Sequence, residues 1–156
     1  MGCKKMDAVT YPNPAVIEFM RHNVIPVRMR YDQQPLAVRF RVTWTPTLIA
    51  LDAQGNEVYR NEGFLSPENL ISALMLGIGK VKLQAGQYAE GASDFSRLVS
   101  GYPKSEEAPE AMYYWGVARF KSTKDLKVMQ ETYEKLLAAY PNSSWTKKAE
   151  PYLSVR

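Results

Sequence analysis

The sequence predicts an α/β half over residues 1–74 followed by an all-α half of paired helices over residues 75–156. Strand-like runs are confined to the first half, where IPVRMRYD alternates apolar and polar residues and TLIALD is a short apolar run before a turn. After Gly63 nothing alternates in this way. In the second half, FSRLVSGYPKSEEAPEA and YEKLLAAYPNSSWTKKA share an aromatic, a Leu and a Tyr-Pro-x-Ser, with Tyr102 and Tyr140 38 residues apart.

Each element has its own signal. Residues 14–23, PAVIEFMRHN, set Val16, Ile17, Phe19 and Met20 on a helical stripe behind a Pro14 suited to a first turn. Next, Ile25, Val27, Met29 and Tyr31 alternate with Pro26, Arg28 and Arg30, the two-residue period of a strand with one wet face. QPLAVRFRV reads as a short amphipathic helix and TLIALD as a buried strand. DAQGNE supplies a turn with Gly55 where positive φ is easy, and EVYRNEG returns as the second arm of a hairpin. In SPENL, Ser66 caps a helix with Pro67 at its first position. No Gly/Ser-rich linker follows, so that helix is expected to run from one half into the other as a stiff joint.

Within the helical half, Ala85-Gly86-Gln87 and Lys124-Asp125 break the pattern inside each unit, and each Tyr-Pro ends a helix that a Ser restarts. Tyr88, Phe95 and Leu98 in one unit, and Met129, Tyr133 and Leu136 in the other, fall at helical spacing. Gly79, Gly91 and Gly116 let paired helices approach closely. These residues resemble the tetratricopeptide repeat (TPR), in particular the bacterial variety whose units end in YPxS, over residues 75–154, with SSWTKKAEPYL as the capping helix. Gly91 and Met129 depart from that pattern, standing where a small alanine is favoured. Two units are few for a stack, so the joining helix and the cap are expected to supply the missing contacts.

Composition narrows the function. Apolar residues at 46% and charged residues at 23% are ordinary globular values. A net charge of +4, without a basic run interleaved with aromatics, argues against a nucleic-acid partner. No stretch approaches the ~18–20 apolar residues that span a bilayer, and the chain does not open on a charged head and apolar run, so no membrane role and a cytoplasmic location are expected. One cysteine excludes an intrachain disulfide and a thiolate-rich metal site, and His22, with no second His nearby, reads as a surface residue near a helix end. Neither a metal nor a cofactor is expected. Asp7, Asp32 and Asp52 show no paired-carboxylate spacing, and LGIGK at 76–80 lacks the spacing and preceding strand of a phosphate loop.

The order GCKKM, helix, strand, helix, WTPT, strand, DAQGNEVYRNEG, helix resembles the second part of a thioredoxin domain over residues 2 to about 75. The fold class is then a partial thioredoxin fold followed by TPR-like repeats. In that family a C-x-x-C begins a helix and a cis proline lies against the two sulfurs. The resemblance sets Cys3 at the second cysteine and Thr45-Pro46 at the proline, so that Cys3, Thr45 and Pro46 are its catalytic candidates. The attacking cysteine would stand three residues before Cys3, ahead of Met1, and the central strand of the sheet would precede it. The expectation is a chain shortened at its N-terminus, with two unpaired sheet edges able to join other chains.

Residue by residue, alternatives stay open. Cys3, near a helix start and beside Lys4 and Lys5, is either a favoured thiolate that forms mixed disulfides or an idle thiol. Pro46 is either the family's cis proline or an ordinary trans turn, and Trp44 either flanks a substrate groove or covers a sheet edge. Lys82, Tyr113 and Arg119 are the candidates for a partner-binding face on the repeats. The expected function is a protein-interaction module for protein or peptide clients. The alternative is a thiol-disulfide oxidoreductase whose repeats dock the client, enzymatic only with the upstream cysteine, and a third option is a homo-oligomer joined through the sheet edges.

Overall fold

The structure, a computed structural model, describes residues 1–154. The chain opens with helix α1 (Gly2–Lys5), which runs on as one π-helical stretch (Met6–Thr10), and turns into α2 (Pro14–Asn23). Asn13 starts α2: its side chain accepts from the amides of Ala15 and Val16, and Pro14 occupies the first turn, where a missing N–H costs nothing. Met6, Thr10 and Val16 face inward. The Thr10 hydroxyl donates to the Leu65 carbonyl at 2.6 Å, which fastens this N-terminal helical layer to the entry of the long helix.

Residues 25–31 form no strand, contrary to the two-residue alternation. A strand holds only when a neighbour satisfies its N–H and C=O groups, and among the described residues nothing pairs with this segment. It runs as an extended coil with Ile25 at 92% and Val27 at 74% exposure. Arg28 ties it to Asp7 through two bonds of 2.8 and 3.0 Å.

Helix α3 (Leu36–Arg39) is a single turn, shorter than the predicted amphipathic helix. It ends with the Arg41 amide bonded to the Val38 carbonyl and the Val42 amide to the Ala37 carbonyl, both at 3.1 Å, with Arg41 in the left-handed region at φ +48°. This is the closing pattern for which helices ordinarily use glycine. A side chain in that conformation costs about 1–2 kcal/mol, so Arg41→Gly is expected to stabilise the chain by about 1 kcal/mol. A urea midpoint that stays put or falls would count against the strain.

β1 (Thr47–Leu51) and β2 (Glu57–Glu62) form a two-stranded antiparallel sheet, with Thr47 opposite Glu62 and Ile49 opposite Arg60. The turn uses Gly55 at φ +79°, and Asp52 gathers the amides of Gln54 and Asn56 onto its carboxylate. Those bonds, led by the Asn56 side chain, hold the Asp52 carboxyl below its ordinary range. β1 is only half buried, because helices cover its face but among the described residues no third strand covers its outer edge.

Helix α4 (Pro67–Gln84) unites the halves, starting on the Ser66 cap that accepts the Asn69 amide. One face buries Leu70, Ala73 and Leu76; Gly77 lies so close to the sheet that an added Cβ would stand 3.0 Å from the Ala50 Cβ. Each buried leucine contributes ~1.5–3 kcal/mol by leaving water. The chain continues through α5 (Tyr88–Gly101), α6 (Ala108–Thr123), α7 (Lys127–Ala139) and α8 (Ser144–Ala149), ending in a 3-10 turn (Glu150–Ser154). Successive helices from α4 to α8 pack on one another, and α8 rests on both α6 and α7. The joint and the cap therefore do supply packing to the two pairs.

A buried carboxylate crosses the joint. Glu107, just ahead of α6, accepts the Ser72 hydroxyl of α4 at 2.7 Å and the Tyr59 hydroxyl of β2 at 3.4 Å. Burial foremost, then the charges of Glu107 and Glu110, push the Tyr59 phenol well above its ordinary value, so it remains a donor. Lys80 joins the same junction through Glu110 at 2.9 Å. Glu107→Ala removes the acceptor that the Tyr59 and Ser72 hydroxyls share, Ser72 keeping only the longer bond to the Asn69 carbonyl at 3.1 Å, with an expected loss of about 1–3 kcal/mol. Chemical denaturation reads it directly, and an unshifted midpoint would remove the carboxylate from the account of this joint.

Candidate functional site

At one end of the hairpin, the N-terminal helix meets the loop before β1. The Thr45–Pro46 bond is cis, as is Gln34–Pro35. Gly2 sits directly on Pro46: an added Cβ would be 2.6 Å from its Cδ and 3.6 Å from the Thr45 carbonyl oxygen. That close approach brings the start of α1, with Cys3 next in the chain, against the Thr45–Pro46 turn. Cys3 is a half-buried free thiol. The turn is pinned from behind, since the Gly63 amide donates to the Pro46 carbonyl at 2.8 Å and the Thr47 hydroxyl donates to the Trp44 carbonyl at 2.7 Å. Trp44 itself is 66% exposed beside it.

Charge gathers around the thiol. Tyr11 and Arg28 lie within electrostatic reach of Cys3, and Asp7 within reach of both of them. Burial is the main cause that raises the Tyr11 phenol, with Arg28 opposing and Asp7 and Cys3 adding to it. Lys5 does not face this group but stands over the Phe64 ring at 4.3 Å. The chemistry open to these residues is that of one thiol: as a thiolate it can attack a partner's disulfide, forming a mixed disulfide and releasing the partner's other sulfur as a thiolate, and the chain holds no second cysteine to resolve the product. Among the described residues no group of three or more His, Cys, Asp or Glu is placed to hold a metal ion. His22 is exposed and meets Glu18 one helical turn away at 2.9 Å.

The three repeat candidates do not converge. Lys82 pairs with Asp94 across α4 and α5. Arg119 lies over the Trp115 ring at 4.7 Å and reaches Glu131 of α7 at 3.6 Å. Tyr113 packs its ring on Trp145 at 5.3 Å and edge-on to Tyr114 at 5.6 Å. Burial first, then its hydrogen bond with Tyr152, push the Tyr113 phenol up to about 12. Tyr113 thus belongs to a row that crosses the alternate helices α4, α6 and α8: Lys80 stands 5.3 Å from the Tyr114 ring, Tyr114 5.5 Å from Trp145, and Lys148 3.8 Å above Trp145.

This row was invisible as a unit in the sequence, because its members are separated by whole helices. Each is a separate aromatic or lysine until the helices stack. Glu107 was equally hidden beside Glu106 and Glu110, and only burial distinguishes the three.

Among the described residues, no helix is long and apolar enough to cross a membrane. Comparison with curated proteins finds no match. The thioredoxin-like domain family matches residues 1–77, and the tetratricopeptide repeat family matches residues 73–105 and 110–143. Their overlap falls inside α4, the helix that the hairpin and the first helical pair share. The chain is accordingly a thioredoxin-like domain that continues, through one common helix, into tetratricopeptide repeats.

Proposed function

We propose that this chain is a protein-interaction module, with the thioredoxin-like half over residues 1–74 as a rigid platform and the repeats from residue 75 as the surface that receives a protein or peptide client. The observation that carries the reading is the row of rings and lysines from Lys80 through Tyr114, Tyr113 and Trp145 to Lys148, laid across the alternate helices α4, α6 and α8. Repeat stacks bind extended segments along such surfaces, where rigid aromatics give contact area at small entropic cost. Tyr113 sits within the row, whereas Lys82 and Arg119 spend their charges on Asp94 and Glu131 and serve chiefly to hold helices together.

Pull-down with quantitative mass spectrometry tests it. Cys3→Ser is expected to keep the recruited set within about twofold, while Lys148→Glu, a change at an exposed position, reduces it at least fivefold. Recruitment that collapses with Cys3→Ser, or that ignores Lys148→Glu, would defeat the reading.

A second reading, thiol-disulfide chemistry, is favoured by the contact of Gly2 with Pro46, which brings the thiol's neighbour onto the turn. In it Cys3 is the resolving thiol, and the attacking thiol must come from a cysteine three residues upstream of it. Insulin reduction by this chain is expected to stay at the rate of the reductant alone, and sustained turnover would promote this reading over the first.

A further inference from the structure

The face of the sheet reached by α3 carries a cavity of about 430 Å³, lined by Arg39, Phe40, Arg41, Glu57, Arg60 and Glu62. Three arginines and two glutamates around one opening would ordinarily be a surface salt-bridge network. Their partners show an imbalance. Arg60 takes both carboxylates, bonding Glu57 through two nitrogens at 2.8 Å and Glu62 at 3.5 Å, and it also donates to the Phe40 carbonyl. Arg39 gives one nitrogen to the Gly55 carbonyl at 3.0 Å and otherwise lies over the Phe40 ring at 5.2 Å, with no carboxylate partner. Arg41 shares the cavity wall; its guanidinium donates no hydrogen bond to any described residue, although its charge reaches Glu57. Three arginines against two glutamates leave one net positive charge around the opening, and the guanidinium donors not committed to a carboxylate among the described residues are those of Arg39 and Arg41.

Arg41 also occupies a backbone position that favours glycine, at φ +48°. An arginine with its side-chain donors unused, held at a strained helix end beside a cavity, is the kind of local conflict that marks a working residue. Guanidinium groups present paired N–H donors that match the oxygens of carboxylate and phosphate groups. Here Arg60 is fixed by its two glutamates and Arg39 by the turn of the hairpin, so two of the three arginines are held in place before anything binds.

We propose that this cavity binds an oxyanion, a phosphate or carboxylate group of a ligand, through Arg41 and Arg39 with Arg60 at its base. The site shares no lining residue with the Cys3–Pro46 corner or the row of rings on the repeats, and stands whichever function they have.

The test is a titration of the full chain, labelled with nitrogen-15, with inorganic phosphate in one arm and succinate in another, each at constant ionic strength and against a chloride reference. Saturable amide shifts centred on residues 39–41, 55 and 57–62 are expected in at least one arm. Saturation by phosphate alone assigns a phosphate-bearing ligand, by succinate alone a carboxylate-bearing one, and by both a general oxyanion site. Arg41→Gly, which relieves the backbone rather than endangering the fold, is expected to weaken binding at least fivefold. Shifts that only follow chloride, fail to saturate, or survive undiminished in Arg41→Gly would overturn the assignment.

Discussion

Replacing Gly116 with alanine is expected to loosen the second helical pair while leaving the first intact. The new Cβ would meet the Cγ2 and Cβ of Thr132 at 2.6 and 2.7 Å and press on its hydroxyl oxygen as well. Thr132 is fully buried and its hydroxyl is bonded within α7 to Val128, so it has no room to turn away. A helical Gly→Ala change alone favours the helix by ~1 kcal/mol. Overpacking a tight interface costs ~1–3 kcal/mol, and contacts this short on a Cβ fall at the upper end. The net expectation is a loss of about 2 kcal/mol, a large share of the ~5–15 kcal/mol that a domain has. Because repeats hold to their neighbours, hydrogen exchange should quicken in α7 and α8 more than in α4. Adding Thr132→Ala removes the hydroxyl and methyl but leaves the Cβ, so recovery should be partial. A Gly116→Ala chain as stable as the parent would show that α6 and α7 are not held at the observed spacing.

Phe95→Ala is expected to cost more. The ring is fully buried, stacks on Tyr114 of α6 at 5.9 Å, and fills the space that Gly79 of α4 leaves open. It thereby joins three helices at the point where the sheet-bearing half passes into the repeats. Truncating such a phenylalanine costs ~3–5 kcal/mol through lost transfer energy and the cavity left behind. Gly79 gives the second half of the test, since a Cβ there would lie 2.5–2.9 Å from three atoms of that ring. Gly79→Ala should therefore destabilise alone, yet cost far less in the Phe95→Ala background, where the space is vacant. Additive losses in this cycle would mean that the two residues do not share the contact.

The repeats were the more legible half. Tyr-Pro-x-Ser at a 38-residue interval, with glycines at the close approaches, forecast the paired helices, and Gly79 and Gly116 do lie against Phe95 and Thr132. The hairpin was equally plain, because Gly55 and the flanking apolar runs act locally. The segment 25–31 misled for an instructive reason: alternation records which side chains would share a strand face but contains nothing about a partner, and without one the backbone stays with water. Helix α3 ran short because its last turn closes on Arg41, a residue that gives no sequence warning of a left-handed conformation.

By itself the sequence determined the class of each half, the place where strands give way to helices, and the single thiol that limits redox chemistry within the chain. Only the tertiary structure decided which polar groups work together: Glu107 across the joint, the lysine-capped row of rings across three helices, and Arg39 and Arg41 gathered beside Arg60 at one opening. Periodicity is a property of neighbouring residues along the chain, so it survives in one dimension. Pairing, burial and leftover charge depend on groups brought together from distant positions, and they exist only once the helices and hairpin have packed.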